Sequence, residues 1–134
     1  MKRRILLVLF VLLVTTACSE DFGELTRVDF QIVTPGEDHT GEETITDDDS
    51  IQTIHDVMEK VKWEDKNASM VRKKDVRAVF YYQQEEGMPE RLVEYDIWFT
   101  EESVFAVIMS EEEGRRYGVL RPEYGGILRD VFVK

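Results

Sequence analysis

The sequence predicts an α+β fold: a single small domain in which an antiparallel sheet carries helices on one face. Two observations point there. Several short segments alternate apolar and polar residues, the period of half-buried strands. Two other segments place apolar residues three and four apart, the period of helices with one apolar stripe. The later strands succeed one another across short turns, so an antiparallel meander is expected. The predicted order is β-(β)-α-β-β-β-β-α, with one long helix after the first strand or strands and a helix at the C-terminus.

The first strand is Arg27 to Val33 (RVDFQIV). Val28, Phe30 and Ile32 fall on one side, with Arg27, Asp29 and Gln31 on the other. Thr34-Pro35-Gly36 ends it, and a charged loop (GEDHTGEE) leads to a brief second strand at Thr44 to Thr46. Asp47, Asp48 and Asp49 then precede Ile51, Ile54, Val57, Met58 and Val61, which share a helical face. Acids in that position cap free N–H groups and suit the positive end of the helix dipole. This helix is expected to end near Trp63.

After a loop and the basic cluster Arg72, Lys73 and Lys74, the pattern turns to strands. Arg77 to Tyr82 is aromatic and β-branched, and Gln83 to Glu90 is a turn region. Arg91 to Thr100 directs Val93, Tyr95, Ile97 and Phe99 one way and Glu94, Asp96 and Trp98 the other. Ser103 to Ser110 and Arg116 to Leu120 complete the meander, joined by the acidic turn Glu111 to Arg115. Pro122 suits the first position of a helix. Tyr124, Ile127, Leu128, Val131 and Phe132 follow at helical spacing, which outweighs the cost of Gly125 and Gly126.

The N-terminus has a different character. Lys2, Arg3 and Arg4 precede ten apolar residues, Ile5 to Val14, and then Thr15-Thr16-Ala17-Cys18. This is the layout of a secretory signal, too short in its apolar run to span a bilayer as a helix. It resembles a bacterial lipoprotein signal with its lipobox, although Thr15 stands where that motif commonly has Leu. The resemblance implies that residues 1–17 are removed and that Cys18 receives lipid. Two acyl chains give a firm anchor, where one gives only marginal attachment. Residues 18–26 then form the lipidated cysteine and a short acidic tether, and residues 27–134 form the domain.

Charge narrows the partners. The chain carries 17 Lys+Arg against 28 Asp+Glu, and removal of residues 1–17 would take three bases and no acid. So acidic a surface repels nucleic acid and anionic headgroups. The expected partners are the membrane, through the lipid on Cys18, and an envelope protein or basic peptide.

The helix with Ile51, Ile54 and Met58, the strand Tyr95-Asp96-Ile97-Trp98-Phe99, the later Tyr117-Gly118-Val119-Leu120 and the closing helix resemble the small YhfM-like lipoproteins of Gram-positive, endospore-forming bacteria. Phe99 replaces an aliphatic residue of that pattern, and Gly118-Val119 widens its later motif by one. The resemblance covers residues 27–133. It implies an extracytoplasmic lipoprotein domain of unassigned activity and supplies no catalytic residues.

Chemical motifs are sparse. His39 in the acidic loop and His55 on the helix flank are two separated histidines without the spacing of a zinc site; His55 is expected at the edge of the buried helix face. Asp47, Asp48 and Asp49, and Glu111, Glu112 and Glu113, are rich in oxygen ligands, yet they lack the alternation and glycine of a calcium loop. No nucleophile elbow or phosphate-binding glycine loop is present, so no catalytic residue and no cofactor is expected. Trp98 beside Glu94 and Asp96 is the expected interaction surface, on the sheet face away from the helices. The sequence therefore reads as a lipid-anchored, extracytoplasmic, non-enzymatic binding or modulating domain. The alternative is a cell-surface sensor or binder of calcium or a small cationic ligand through the acidic loops; a hydrolase comes third.

Overall fold

Seven strands form one sheet in which every neighbouring pair is antiparallel, in the order β2-β1-β4-β5-β6-β7-β3. The structure, a computed structural model, describes residues 22–33, 41–70, 72–100 and 105–133. The elements are β1 (Glu24–Ile32), β2 (Glu43–Ile45), α1 (Asp48–Met58), β3 (Lys62–Glu64), β4 (Val76–Gln83), β5 (Arg91–Phe99), β6 (Ala106–Met109), β7 (Tyr117–Leu120) and α2 (Pro122–Phe132). The α+β class and the meander are as expected. The order gains one strand, β3, and with it the topology changes character. β2 lies at one edge of the sheet and β3 at the other, so the chain between them, which contains α1, passes from edge to edge.

The helix α1 begins where the sequence places it. Asp47 is the N-cap, its carboxylate accepting from the Ser50 N–H at 2.9 Å, and Asp48 and Asp49 fill the first turn. It stops earlier than expected, at Met58 rather than near Trp63. The bonds Lys60 N–H to Val57 O and Val61 N–H to Met58 O tighten its last turn. The next residues are drawn into edge pairing instead, Trp63 opposite Gly118 of β7. A Cβ at Gly118 would come within 2.5 Å of Val61 and 2.7 Å of the Trp63 ring. Glycine there lets both side chains lie flat on the sheet.

The core forms between the helices and the inner sheet face. Val28 and Phe30 of β1, Val76, Ala78, Phe80 and Tyr82 of β4, and Val93, Tyr95, Ile97 and Phe99 of β5 are all buried, as alternation requires. Ile54, Val57 and Met58 of α1 and Leu128 and Phe132 of α2 close over them. Phe132 meets Phe30 edge-on with ring centroids 4.8 Å apart. In α2 the expected stripe is narrower than supposed, because Ile127 is exposed. It lies one residue, about 100°, from the buried Leu128.

Two expectations at the start of the domain are corrected. Phe22 and Leu25, assigned to the tether, are buried, and β1 starts at Glu24. A shift in register between Leu25 and Arg27 lets Leu25 join the inner face three residues before Val28. The adjacent Gly23 has φ of +100°, and a Cβ there would lie 2.6 Å from the Gln83 carbonyl oxygen. Both facts demand glycine, and the turn brings Phe22 onto Tyr82 with ring centroids 5.4 Å apart. Among the described residues no helix is long and apolar enough to cross a membrane.

Candidate functional site

The outer sheet face, where the sequence places an interaction surface, is occupied by internal pairing. Trp98 does point away from the helices, yet it is only 7% exposed, and its indole N–H donates to the Arg72 carbonyl at 2.9 Å. It is a covered structural residue, which corrects its assignment as an exposed contact. Glu94 pairs with Arg77, and Asp96 lies 3.3 Å from Lys74. The two acids opposite two bases follow from the β4–β5 register, which sets Arg77 against Asp96 and Val79 against Glu94. A depression of about 600 Å³ lies here, lined by these four residues with Met109, Ser110, Glu111 and Glu112. Most of the charged groups on its walls have an ion-pair partner, Glu94 with Arg77, Asp96 with Lys74 and Glu112 with Arg91, although Asp96 Oδ1 has no hydrogen-bond partner among the described residues.

The acids proposed for a cation do not converge. Asp47 is used in capping α1. Among the described residues, the group whose ligand atoms approach one another, within 4.8 Å, is instead His55, Asp56 and Glu59. All three follow one another on an accessible turn of α1. His39 lies outside the described residues, as does the turn at Glu101-Glu102.

The inner face has a recess of another kind. A cavity of about 430 Å³ opens between the C-terminal half of α1 and the sheet. This lies in the usual size range of small-molecule sites, which join apolar walls to a few converging polar groups. Phe22, Leu25, Met58, Val61 and Trp63 supply the apolar wall; His55, Glu59, Tyr82 and Arg115 supply the polar groups. Each wall residue is placed by a feature already described: Phe22 by the Gly23 turn, Trp63 by its seat on Gly118, Met58 by the last turn of α1.

Arg115 is held from both ends. Gly114, with φ of +83°, turns the chain between β6 and β7. The Ser110 hydroxyl donates to the Arg115 carbonyl at 2.6 Å, and the Arg115 N–H to the Glu112 carbonyl at 2.9 Å. Its guanidinium donates to the Tyr95 hydroxyl at 3.1 Å and rests 4.2 Å from the centre of the Phe22 ring. The Trp63 ring is 5.6 Å away. Trp63 itself stacks on Tyr95, with centroids 6.1 Å apart. Burial pushes the Tyr82 hydroxyl well above the ordinary tyrosine range and raises that of Tyr95, and the nearby Arg115 only partly opposes this. Both therefore stay protonated near neutral pH and remain able to donate hydrogen bonds.

His55 stands at the rim, 43% exposed, at the edge of the buried helix face as expected. Its Nδ1 lies 3.6 Å from an Asp56 oxygen and 3.9 Å from Glu59 Oε1. Neither distance is a hydrogen bond, and Nδ1 has no hydrogen-bond partner among the described residues.

Arg115, Trp63, Phe22 and Glu59 were not singled out by sequence reasoning. Arg115 follows three glutamates in what reads as a solvated turn, and nothing local distinguishes it from Arg116. Tyr82 and Tyr95 were noted only as members of an aromatic group.

Comparison with known proteins places the fold. No family model and no curated protein matches the sequence. The solved structure of a thioesterase-like protein from Clostridium sporogenes ATCC 15579 is similar, with a TM-score of 0.53 at 15% identity, covering 82% of this chain and 95% of that one. The shared architecture is a thioesterase-like, hotdog-type fold. With that neighbour and a buried Trp98, the expectation of a non-enzymatic binding or modulating domain through Trp98 is overturned.

Proposed function

We propose that the chain is a hydrolase of acyl thioesters or esters, with the cavity between α1 and the sheet as its active site. One observation carries the reading: a recess that joins an apolar wall to a guanidinium, with His55 on its rim close to the carboxylates of Asp56 and Glu59. The likeness in fold to a thioesterase-like protein supports it.

The chemistry assigns each group a task. The acyl chain lies along Leu25, Met58 and Val61, where burial contributes about 25 cal/mol per Å² of apolar surface. His55 takes a proton from water as that water attacks the acyl carbonyl, and the carboxylates of Asp56 and Glu59 nearby favour the imidazolium that forms. The tetrahedral intermediate carries its negative charge on the former carbonyl oxygen, facing the Arg115 and Tyr82 side of the cavity. Its collapse breaks the bond to the leaving group, which receives the proton from His55. The products are a carboxylic acid and a thiol or alcohol.

Location belongs to the same proposal. Cys18 stands four residues before Phe22, a wall residue of the cavity. A lipid on Cys18, with residues 1–17 removed as in the YhfM-like lipoproteins that the sequence resembles, would hold the site beside the extracytoplasmic membrane face. The full-length chain should then take up radiolabelled palmitate in cells and fractionate with membranes, and Cys18→Ser should lose both properties. Unchanged labelling of Cys18→Ser would sink the anchor.

For the activity, the test is hydrolysis of hexanoyl N-acetylcysteamine, followed by release of free thiol from the full-length chain in detergent. Turnover above the uncatalysed rate, reduced at least about 100-fold in His55→Gln, is expected. Turnover that is absent, or indifferent to His55, would reject the assignment.

A further inference from the structure

We propose that the cavity takes its ligand carboxylate-first, with Arg115 as the anion-binding residue: the ligand is a short or medium-chain carboxylate, the acid that the proposed hydrolysis releases. The inference deepens the hydrolase reading and rests on it only for the origin of the acid. The binding site itself stands on independent geometry.

The argument begins with charge pairing. Among the described residues Arg27, Lys66, Arg72, Lys74, Arg77, Arg91 and Arg121 lie within 4 Å of a carboxylate, whereas Lys60, Lys62, Lys73, Arg116 and Arg129 do not. What sets Arg115 apart is its place on the cavity wall. Arg115 faces the cavity, and among the described residues no carboxylate lies within 4 Å of it. Its partners are neutral: a tyrosine hydroxyl and the faces of two aromatic rings. The nearest comparison is Arg91, which lies 4.2 Å from the same Phe22 ring and is bonded to Glu112 at 2.8 Å. Glu112 is thus engaged by one arginine and leaves the other for a ligand.

Chemistry then selects the anion. A guanidinium presents parallel N–H groups that match the two oxygens of a carboxylate, and rings on its flanks fix the plane of that fork. The Tyr95 hydroxyl, buried behind the cavity wall, accepts from Arg115 and helps to hold the guanidinium in place, while Tyr82 lines the cavity itself. The wall of Phe22, Leu25, Met58, Val61 and Trp63 suits an alkyl chain. An apolar ligand without the anion would leave the guanidinium dehydrated and unpaired, which is costly. The site therefore discriminates by charge at one end and by apolarity along the rest.

The experiment measures binding rather than turnover, with full-length protein in a nonionic detergent. Trp63 lines the cavity while the other tryptophan, Trp98, is buried on the opposite sheet face, so ligand-dependent fluorescence reports on Trp63. Hexanoate is titrated against hexanamide, which has the same chain and no charge. Hexanoate should bind at least tenfold more tightly, and Arg115→Gln should abolish that advantage while Arg115→Lys retains part of it. Equal affinity for the two ligands in the unaltered protein would overturn the proposal, as would a folded Arg115→Gln that still prefers hexanoate. Should Arg115→Gln fail to fold, the ligand contrast in the unaltered protein decides alone. Selective hexanoate binding without thioester turnover would reject the hydrolase and keep the anion site; turnover without selectivity would do the reverse.

Discussion

The two faces of the sheet use charge in opposite ways. On the outer face, accessible acids of β5 meet bases of β4 and of the segment before it: Glu94 with Arg77, Asp96 with Lys74. At the inner cavity, Arg115 meets tyrosine and aromatic rings. Paired charges on an accessible face contribute little stability and recruit little. A cation without a carboxylate partner, beside an apolar wall, is placed to meet a ligand. The larger depression is on the outer face, but size alone does not make it the better site, because Lys74, Arg77, Glu94, Asp96 and Glu112 on its walls each already have an ion-pair partner.

This contrast can be tested through stability. The largest effect is expected at Trp98, the residue first taken for an exposed contact. As a covered side chain with its N–H bonded, its replacement by alanine should cost about 3 kcal/mol of unfolding free energy, measured by denaturant titration. A loss below about 1 kcal/mol would restore it to the surface.

Asp29 should show a smaller, pH-dependent effect. Burial alone would raise its pKa, but hydrogen bonds from Thr44, Tyr81 and Arg27 outweigh that and hold it below the usual carboxylate range. A carboxylate whose folded pKa lies below its unfolded value of about 3.9 contributes stability above that value, and the contribution fades as pH falls through the folded pKa. Asp29→Asn should therefore cost about 1–2 kcal/mol at pH 7, and the difference from the unaltered protein should shrink toward pH 2. A difference that is the same at both ends of the range would show that the charge of Asp29 is irrelevant.

The smallest effect is expected at Arg115. Arg115→Gln removes a ring contact and one hydrogen bond while relieving an uncompensated charge, so stability should change by less than about 1 kcal/mol even as carboxylate binding is lost. A large destabilisation would move Arg115 to the structural side of the comparison.

Much of the fold was legible because it depends on local periodicity. Val93, Tyr95, Ile97 and Phe99 point inward because a strand alternates, and Asp47 caps α1 because a carboxylate before an apolar helical stripe satisfies free N–H groups. The misreadings arose where distant chain segments compete for a residue. Trp63 has a place at the end of a helical pattern, yet Gly118 offers it a flat seat on an edge strand. Phe22 reads as part of a polar tether until the Gly23 turn lays it on Tyr82. Trp98 alternates outward as expected, but alternation says nothing about the Arg72 segment that covers it.

The sequence by itself determined the α+β class, the inward-facing residues of the strands, the start of α1 and the acidic character of the chain, since each follows from spacing or composition. Only the tertiary structure decided that the chain crosses from one sheet edge to the other through α1, and that Phe22, His55, Trp63, Tyr82 and Arg115 border one cavity. Those residues span 93 positions between Phe22 and Arg115. Periodicity orders a side chain relative to its own strand or helix; bringing five such elements to one recess depends on strand order and register, which no local pattern records.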